Sequence, residues 1–243
     1  MLLQVTLNGS RFPEEHPHIP VSPGQIALQS RHAVEACAHA IHMHPRGEEG
    51  QESLAAADLS AALHAVRAAE VTAPIGVSTG EWIEPDVTKR LERIDSWTVL
   101  PDFASVNFHE RGAREVARLL LSLDIGMEAG IHSVEAAKRF TAFAQSKEAL
   151  RVLIEIPDLP PDQATRLLHD IEHVLDHHSP GLPRLLHGYE GSAWPMIKKA
   201  AQRNYYSRIG LEDTLYLPGQ KIVYDNTQLV QTAVQMIKKK KSE

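Results

Sequence analysis

A chain of 243 residues with 43% hydrophobic and 23% charged residues has the make-up of a globular protein, large enough for one big domain or two small ones. Its net charge of -6 gives no general attraction for nucleic acid, and no run of about 18 apolar residues marks a membrane span. Cys37 is the only cysteine, so no intrachain disulfide can form and a reducing, cytoplasmic location is expected. The opening MLLQVTLNGSRF lacks a basic leader region and reads as a strand, not a signal peptide. The lysine run Lys238–Lys241 reads as a solvated helix end, where cations suit the helix dipole.

Along the chain, short apolar runs alternate with segments of helical spacing. The runs are LLQVTL, AIHMH, PIGVS, FASVNF, DIGME, RVLIEI, RLLHG and SRIGL. Ser22-Pro23 offers an N-cap followed by proline at the first helical position, and Glu84-Pro85 does something similar before DVTKRLERI. VEAAKRFTAFA and PDQATRLLHDIEHVL carry apolar residues three and four apart, and TQLVQTAVQMI follows the eighth run. Strand and helix in strict alternation argue for parallel strands with right-handed crossovers. Eight such units in one domain spanning 1–243 match an α/β (β/α)8 TIM barrel. An open doubly wound sheet fits less well, because no glycine-rich dinucleotide loop follows the first run.

The second run carries His42 and His44. Strand side chains alternate faces, so the two imidazoles share one face and Ile41 and Met43 take the other. At the C-terminal end of a barrel strand that shared face looks into the mouth, where two neutral imidazoles make half of a zinc site. His-x-His alone is equally compatible with two partly exposed histidines near a loop. Glu212 and Asp213 close RIGL, the expected eighth strand, which in a closed barrel lies beside the first. Glu212 can there complete a His-His-Glu set with an open coordination position, and Asp213, facing another way, is free to act as a base. A helix N-terminus is the other reading of these two acids.

Further histidines are weighed by position. His169, His173 and His177 share a helix face but lie off the apolar stripe of Leu167, Leu168, Ile171, Val174 and Leu175, which reads as a solvated face. His187 in LLHGYEGS falls where barrels of this kind often bind phosphate, so this loop either meets a phosphate-bearing cosubstrate or is structural. Glu155 in LIEIPD is either a mouth residue or a buried structural carboxylate.

Several stretches together resemble one family. NGS, HPHIPVSPGQIA, IHMHPRGEEGQESL, GVSTGEW, ASVNF and RIGLEDTLYLPGQKIVYDNTQLV occur in the order found in the β-keto acid cleavage enzymes, typified by the 3-keto-5-aminohexanoate cleavage enzymes. The resemblance spans essentially the whole chain. It implies a (β/α)8 barrel, a zinc ion held by His42, His44 and Glu212, Asp213 as general base with Arg208 beside it, and Glu128 as a further acidic catalytic residue. It also implies that Ser78, Gly80, Ser105 and Asn107 hold the substrate carboxylate and keto group. The chain departs from the family in being shorter, in Pro45 between His44 and Arg46, and in Ser105 where threonine is usual, a change that keeps the hydroxyl.

The implied reaction takes a β-keto acid and acetyl-CoA to acetoacetate and a new acyl-CoA. The chain is therefore expected to be a zinc enzyme with small-molecule partners, in a homo-oligomer, possibly a tetramer by family resemblance. Arg46 could clamp a phosphate or carboxylate through its planar fork, or serve as a supporting salt bridge. Aligned on Pro17 and Pro20, Arg11 replaces the acidic residue that meets a substrate amine. At the mouth it would favour a neutral or acidic β-keto acid; turned to solvent, it would do nothing of the kind. Two other functions remain open: a zinc hydrolase on the same scaffold, against which LNGS at the first strand end speaks, and a metabolite-binding barrel without catalysis.

Overall fold

Eight short parallel strands close into a barrel in chain order, β1 to β8, in a computed structural model that describes residues 1–178 and 181–240. They are β1 (Leu3–Thr6), β2 (Ala40–Met43), β3 (Ile75–Ser78), β4 (Phe103–Asn107), β5 (Gly126–Ile131), β6 (Arg151–Ile156), β7 (Arg184–Gly188) and β8 (Tyr206–Ile209). Between and after them run α1 (Pro23–Glu35), α2 (Ala56–Ala68), α3 (Val87–Asp95), α4 (Ala113–Ser122), α5 (Val134–Thr141), α6 (Pro161–His178), α7 (Ala193–Arg203) and α8 (Asn226–Lys240). This is the (β/α)8 TIM barrel that the alternation implies. Among the described residues no helix is long and apolar enough to cross a membrane.

The two faces of the strands carry different chemistry. Leu3, Val5, Ile41, Met43, Val77, Val106, Ile154 and Ile209 belong to the apolar layer packed under the helices. The alternate positions, among them Gln4, Thr6, His42, Ser78, Ser105, Glu128, Arg151, Glu155, His187 and Arg208, are buried and polar. Since side chains alternate with period two, these fill the barrel interior. Gln4 Nε2 reaches Glu128 Oε1 at 3.5 Å from β1 to β5, and the Arg151 guanidinium lies 4.7 Å over the Phe103 ring, so this lower layer is filled.

Local signals explain some elements. At α1, Gln25 N donates to Ser22 Oγ at 3.2 Å and Ser22 N to Gln25 Oε1 at 3.0 Å, a reciprocal cap. The cap of α3 is Asp86, not Glu84: Asp86 Oδ1 accepts from Lys89 N at 3.1 Å, while Glu84 is held by Arg93 Nε at 3.1 Å. The shorter carboxylate reaches the third helical amide, and Pro85 precedes the cap. On α6, Leu168, Ile171 and Leu175 are buried, and His169, His173 and His177 face solvent as expected. The lysine run closes α8, with Lys241 outside the described residues.

Two strand ends differ from the sequence reading. β5 continues three residues past Glu128 to Ile131. Its extension, Ala129-Gly130-Ile131, contains two residues poor in intrinsic strand preference, and tertiary pairing with β6 carries it. β8 stops at Ile209, and Gly210 begins a turn in which Asp213 N donates to Gly210 O at 2.9 Å. That turn rests on β1: a Cβ on Gly210 would overlap the Thr6 carbonyl. Gly210→Ala should therefore cost about 1–3 kcal/mol through overpacking. The expected readout is a melting temperature lowered by roughly 2–4 °C per kcal/mol in a chain of this size, and an unchanged transition would count against this contact.

Candidate functional site

β2 aims His42 and His44 into the same end of the barrel. Their Nε2 atoms lie 3.1 Å apart, and His44 Nε2 lies 3.6 Å from Glu212 Oε2. Ligand atoms of all three side chains fall within 4.8 Å of one another. The first strand's NGS makes this convergence possible. Asn8 Nδ2 donates to His44 O at 3.0 Å and Asn8 Oδ1 accepts from His44 N at 2.9 Å, which ties the ends of β1 and β2 together. Gly9 sits at φ +52°, and a Cβ there would overlap the Glu212 side chain.

The donor set fits a zinc ion. Two nitrogens sharing a tetrahedral zinc at 2.0–2.1 Å stand about 3.3 Å apart, close to the observed separation. Glu212 Oε2 is buried without a hydrogen-bond partner, as befits an oxygen reserved for a ligand. Burial first, then His44 and Arg208, push the His42 imidazole well below its ordinary value, so it is neutral and able to ligate. His44 Nδ1 is held by Glu52, which leaves Nε2 as the ligating atom. Burial opposes the Glu52 charge, but the hydrogen bond and charge of His44, with the Ser10 and Trp82 hydrogen bonds, together outweigh it and hold the carboxyl at about 2. Trp82 Nε1 donates to both Glu52 oxygens at 3.1 Å.

A second network adjoins this one. The Arg208 NH2 group donates at 2.8 Å both to Glu212 Oε1 and to Asp213 Oδ1. Thr6 Oγ1 donates to Asp213 Oδ2 at 2.7 Å, and His187 Nδ1 lies 3.3 Å from Asp213 Oδ1. On its other side His187 Nε2 is 3.4 Å from Glu155 Oε2, which also accepts from Tyr189 OH at 3.0 Å. Burial raises the Asp213 carboxyl, but Arg208 and His187 reverse this and hold it well below the usual range. Burial first, and then Glu155, keep the Tyr189 phenol well above its ordinary value, so it remains a donor.

These groups surround a cavity of about 280 Å³ lined by His42, His44, Ser78, Ser105, Asn107, Arg208 and Glu212 among others. Ser78 Oγ accepts from Gly80 N at 3.2 Å, so its hydroxyl proton is free to donate. Gly80 itself does not line the cavity; a Cβ there would overlap the Trp82 ring, so the glycine seats Trp82 beside His44. Asp213 also lies behind the wall, with Arg208 in front of it.

Three expectations are corrected. Glu128 is not a mouth residue. Because β5 runs on to Ile131, Glu128 sits a layer lower, fully buried and ion-paired to Arg151. Arg46 does not line the cavity, and among the described residues no ion pair holds it: its terminal nitrogens donate to the carbonyls of Gly9, Gly50 and Arg11, binding the loops after β1 and β2 together. Arg11 neither enters the cavity nor points freely to solvent. It is paired with Glu190 and, at 3.1 Å, with Glu15, so its charge is spent on the rim.

His187 is inside the barrel, not in a phosphate-facing loop, and Glu155 lines the cavity. Sequence reasoning did not find Glu52, Trp82, Tyr189, His109 or His132. An antiparallel bridge between Arg46 and Glu52 folds the loop back to bring Glu52 under His44, and no spacing rule announces such a return.

Comparison with known proteins bears on the site. The family model described as beta-keto acid cleavage enzyme matches residues 1–159 and 161–243. Among solved structures, the binary complex of ObcA with oxaloacetate superposes with a TM-score of 0.75 at 13% identity, covering 93% of this chain and 64% of that one. A ternary complex of ObcA with a C4-CoA adduct and oxalate gives 0.74, 13%, 93% and 65%. The 3-dehydroquinate dehydratase of Aquifex aeolicus VF5 gives 0.60 at 13% identity, with 98% of both chains covered. At these identities the likeness is one of fold, and this chain spans less than two thirds of the ObcA chains it matches.

His42→Ala or His44→Ala should abolish stoichiometric zinc binding with the circular dichroism spectrum retained. Glu52→Gln should weaken zinc binding about 10–100-fold, the usual effect of losing a partner that orients a ligating imidazole. Competition with a chromogenic chelator measures both, and wild-type affinity in Glu52→Gln would remove its supporting role.

Proposed function

The chain belongs to the beta-keto acid cleavage enzyme family, and from that premise we propose that it converts a β-keto acid and acetyl-CoA to acetoacetate and a new acyl-CoA. One observation carries the reading: a His-His-Glu ligand set shares a small cavity with two serine hydroxyls and a buried guanidinium. That combination suits a short keto acid held by its carboxylate. ObcA, of the same fold, forms complexes with oxaloacetate and with a C4-CoA adduct, which supports a small keto acid and a CoA thioester as partners here.

A zinc ion held by His42, His44 and Glu212 would supply Lewis acidity toward the carboxylate and keto oxygens, making the methylene between them more acidic. Ser78 donates its free hydroxyl proton to the substrate, and Ser105 presents a second hydroxyl from the neighbouring strand. Asp213 is the base, taking the methylene proton at Oδ1. Arg208 keeps that carboxylate ionised until needed, and its guanidinium must shift toward the substrate to uncover Oδ1. The resulting carbanion attacks the acetyl carbon of the thioester and expels the CoA thiolate. The thiolate then adds to the substrate's original keto carbon, the bond from that carbon to the former methylene carbon breaks to give the new acyl-CoA, and the acetoacetate carbanion left behind takes its proton back from Asp213.

Incubating the zinc-loaded protein with acetyl-CoA and a panel of β-keto acids, with acetoacetate as the readout, tests the proposal; no acetoacetate from any of them would overturn it. Asp213→Asn should keep zinc at wild-type stoichiometry and lower kcat about 10²–10⁴-fold, the usual loss with a general base. A metallated Asp213→Asn protein turning over at the wild-type rate would place the base elsewhere.

A further inference from the structure

The cavity has two chemically distinct sides. The metal-ligating side chains come from β2 and the turn after β8, on either side of β1. Glu155 comes from β6, which stands four strands from β2 in the eight-stranded ring and therefore opposite to it. There, above Gly130 of β5, two acceptor oxygens converge. A Cβ on Gly130 would overlap Asn107 Oδ1 and lie 2.8 Å from Glu155 Oε1, so the missing side chain is the space both oxygens face.

Both oxygens are fixed and both are unmet. Asn107 Nδ2 donates to Glu110 Oε1 at 2.8 Å, which sets the amide so that its oxygen, not its nitrogen, turns to the cavity, and corrects the expectation that Asn107 holds the substrate carboxylate or keto oxygen. Glu110 is itself held as an acceptor by Arg90 NH1 at 3.2 Å and by Glu81 N at 2.9 Å. Glu155 spends Oε2 on Tyr189 and His187. Its Oε1 has no donor among the described residues, and neither does Asn107 Oδ1. Two acceptors, one belonging to a carboxylate, make this part of the wall, which His109 and His132 also line, unfavourable to a substrate carboxylate and suited to a donor. The rim cation Arg11, which could have favoured an acid at this end, is paired with Glu15 and Glu190.

We propose that Glu155 is a specificity-determining residue that, with Asn107, receives a hydrogen-bond donor carried on the substrate end remote from the metal ligands, an ammonium or a hydroxyl. This rests on the functional reading above and reverses the acidic preference that Arg11 alone would suggest. An ammonium satisfies both oxygens and offsets the buried charge; a hydroxyl satisfies one of them. An alkyl end leaves both unmet, and a carboxylate end adds a like charge.

The test uses zinc-loaded full-length protein and 3-oxo acids of one chain length ending in an alkyl, hydroxyl, ammonium or carboxylate group. Wild type should favour the donor-ended acids over the alkyl one by at least about 10²-fold in kcat/KM, toward the roughly 10⁴–10⁵-fold of sites built to bond a substrate hydroxyl or amine. Glu155→Gln should cut the ammonium preference over alkyl at least tenfold, chiefly through KM. Gly130→Ala, which fills the space between the two oxygens, should do the same by a different route.

Calorimetric titration of the same acids without acetyl-CoA keeps the two proposals apart. If none of the acids is turned over, the functional reading fails, and the calorimetric ranking decides this inference. An alkyl or carboxylate acid binding best to wild type would overturn it. So would Glu155→Gln weakening all four acids equally, the sign of a merely structural carboxylate.

Discussion

The guanidinium of Arg208 holds the site together. It is almost fully buried, and it stays charged because Asp213 and Glu212 outweigh the burial that opposes it. A single terminal nitrogen bridges both carboxylates at 2.8 Å. Removing one member of a buried pair leaves an uncompensated charge and typically costs about 3–5 kcal/mol. The turn after β8 and the carboxylates of Glu212 and Asp213 thus depend on one cation placed one residue before the end of β8. The direction of its fork decides which Glu212 oxygen is spent and which is free: Oε1 answers Arg208, and Oε2 is left for a ligand.

Around that pair the barrel uses absent side chains as much as present ones. Gly9 clears room for Glu212, Gly210 lets the turn close on Thr6, and Gly130 opens the space that Asn107 and Glu155 face. Each is a place where another group approaches the backbone too closely for a Cβ. The polar interior is costly to bury unless it is bonded, and most of its members are. Thr6, Glu52, His187 and Tyr189 orient groups that do the binding, and the loops carrying them are tied by Asn8 and Arg46 to backbone carbonyls. Among the groups left unbonded, Glu212 Oε2, Glu155 Oε1 and Asn107 Oδ1 belong to residues that line the cavity.

The opposition between the two sides of the cavity also bears on how one scaffold serves several substrates. On the proposed reaction, His42 and His44 of β2, Glu212 of the turn after β8 and the serines of β3 and β4 would meet the part of a β-keto acid that every such substrate shares, and the wall formed by β4, β5 and β6 would meet the part that varies. A change at Glu155 or Gly130 would alter the second without touching the metal ligands, because neither residue contacts His42, His44 or Glu212.

Alternation of apolar runs with helical segments determined the barrel, because period two and period 3.6 are local properties that a strand or helix shows before it packs. His42 and His44 were legible for the same reason: one strand, one face, two residues apart. Glu212, Asp213 and Arg208 were legible from their place in a closed ring and from the family resemblance of their motif. The sequence could not place Glu128, since the extension of β5 through Ala129-Gly130-Ile131 comes from pairing with β6 and not from any preference of those residues. Nor could it place Arg11, Arg46, Glu52 or Glu155. Each is a long side chain whose target lies on another element, and the choice among carbonyls, carboxylates and open cavity is made by distances that exist only once the ring has closed.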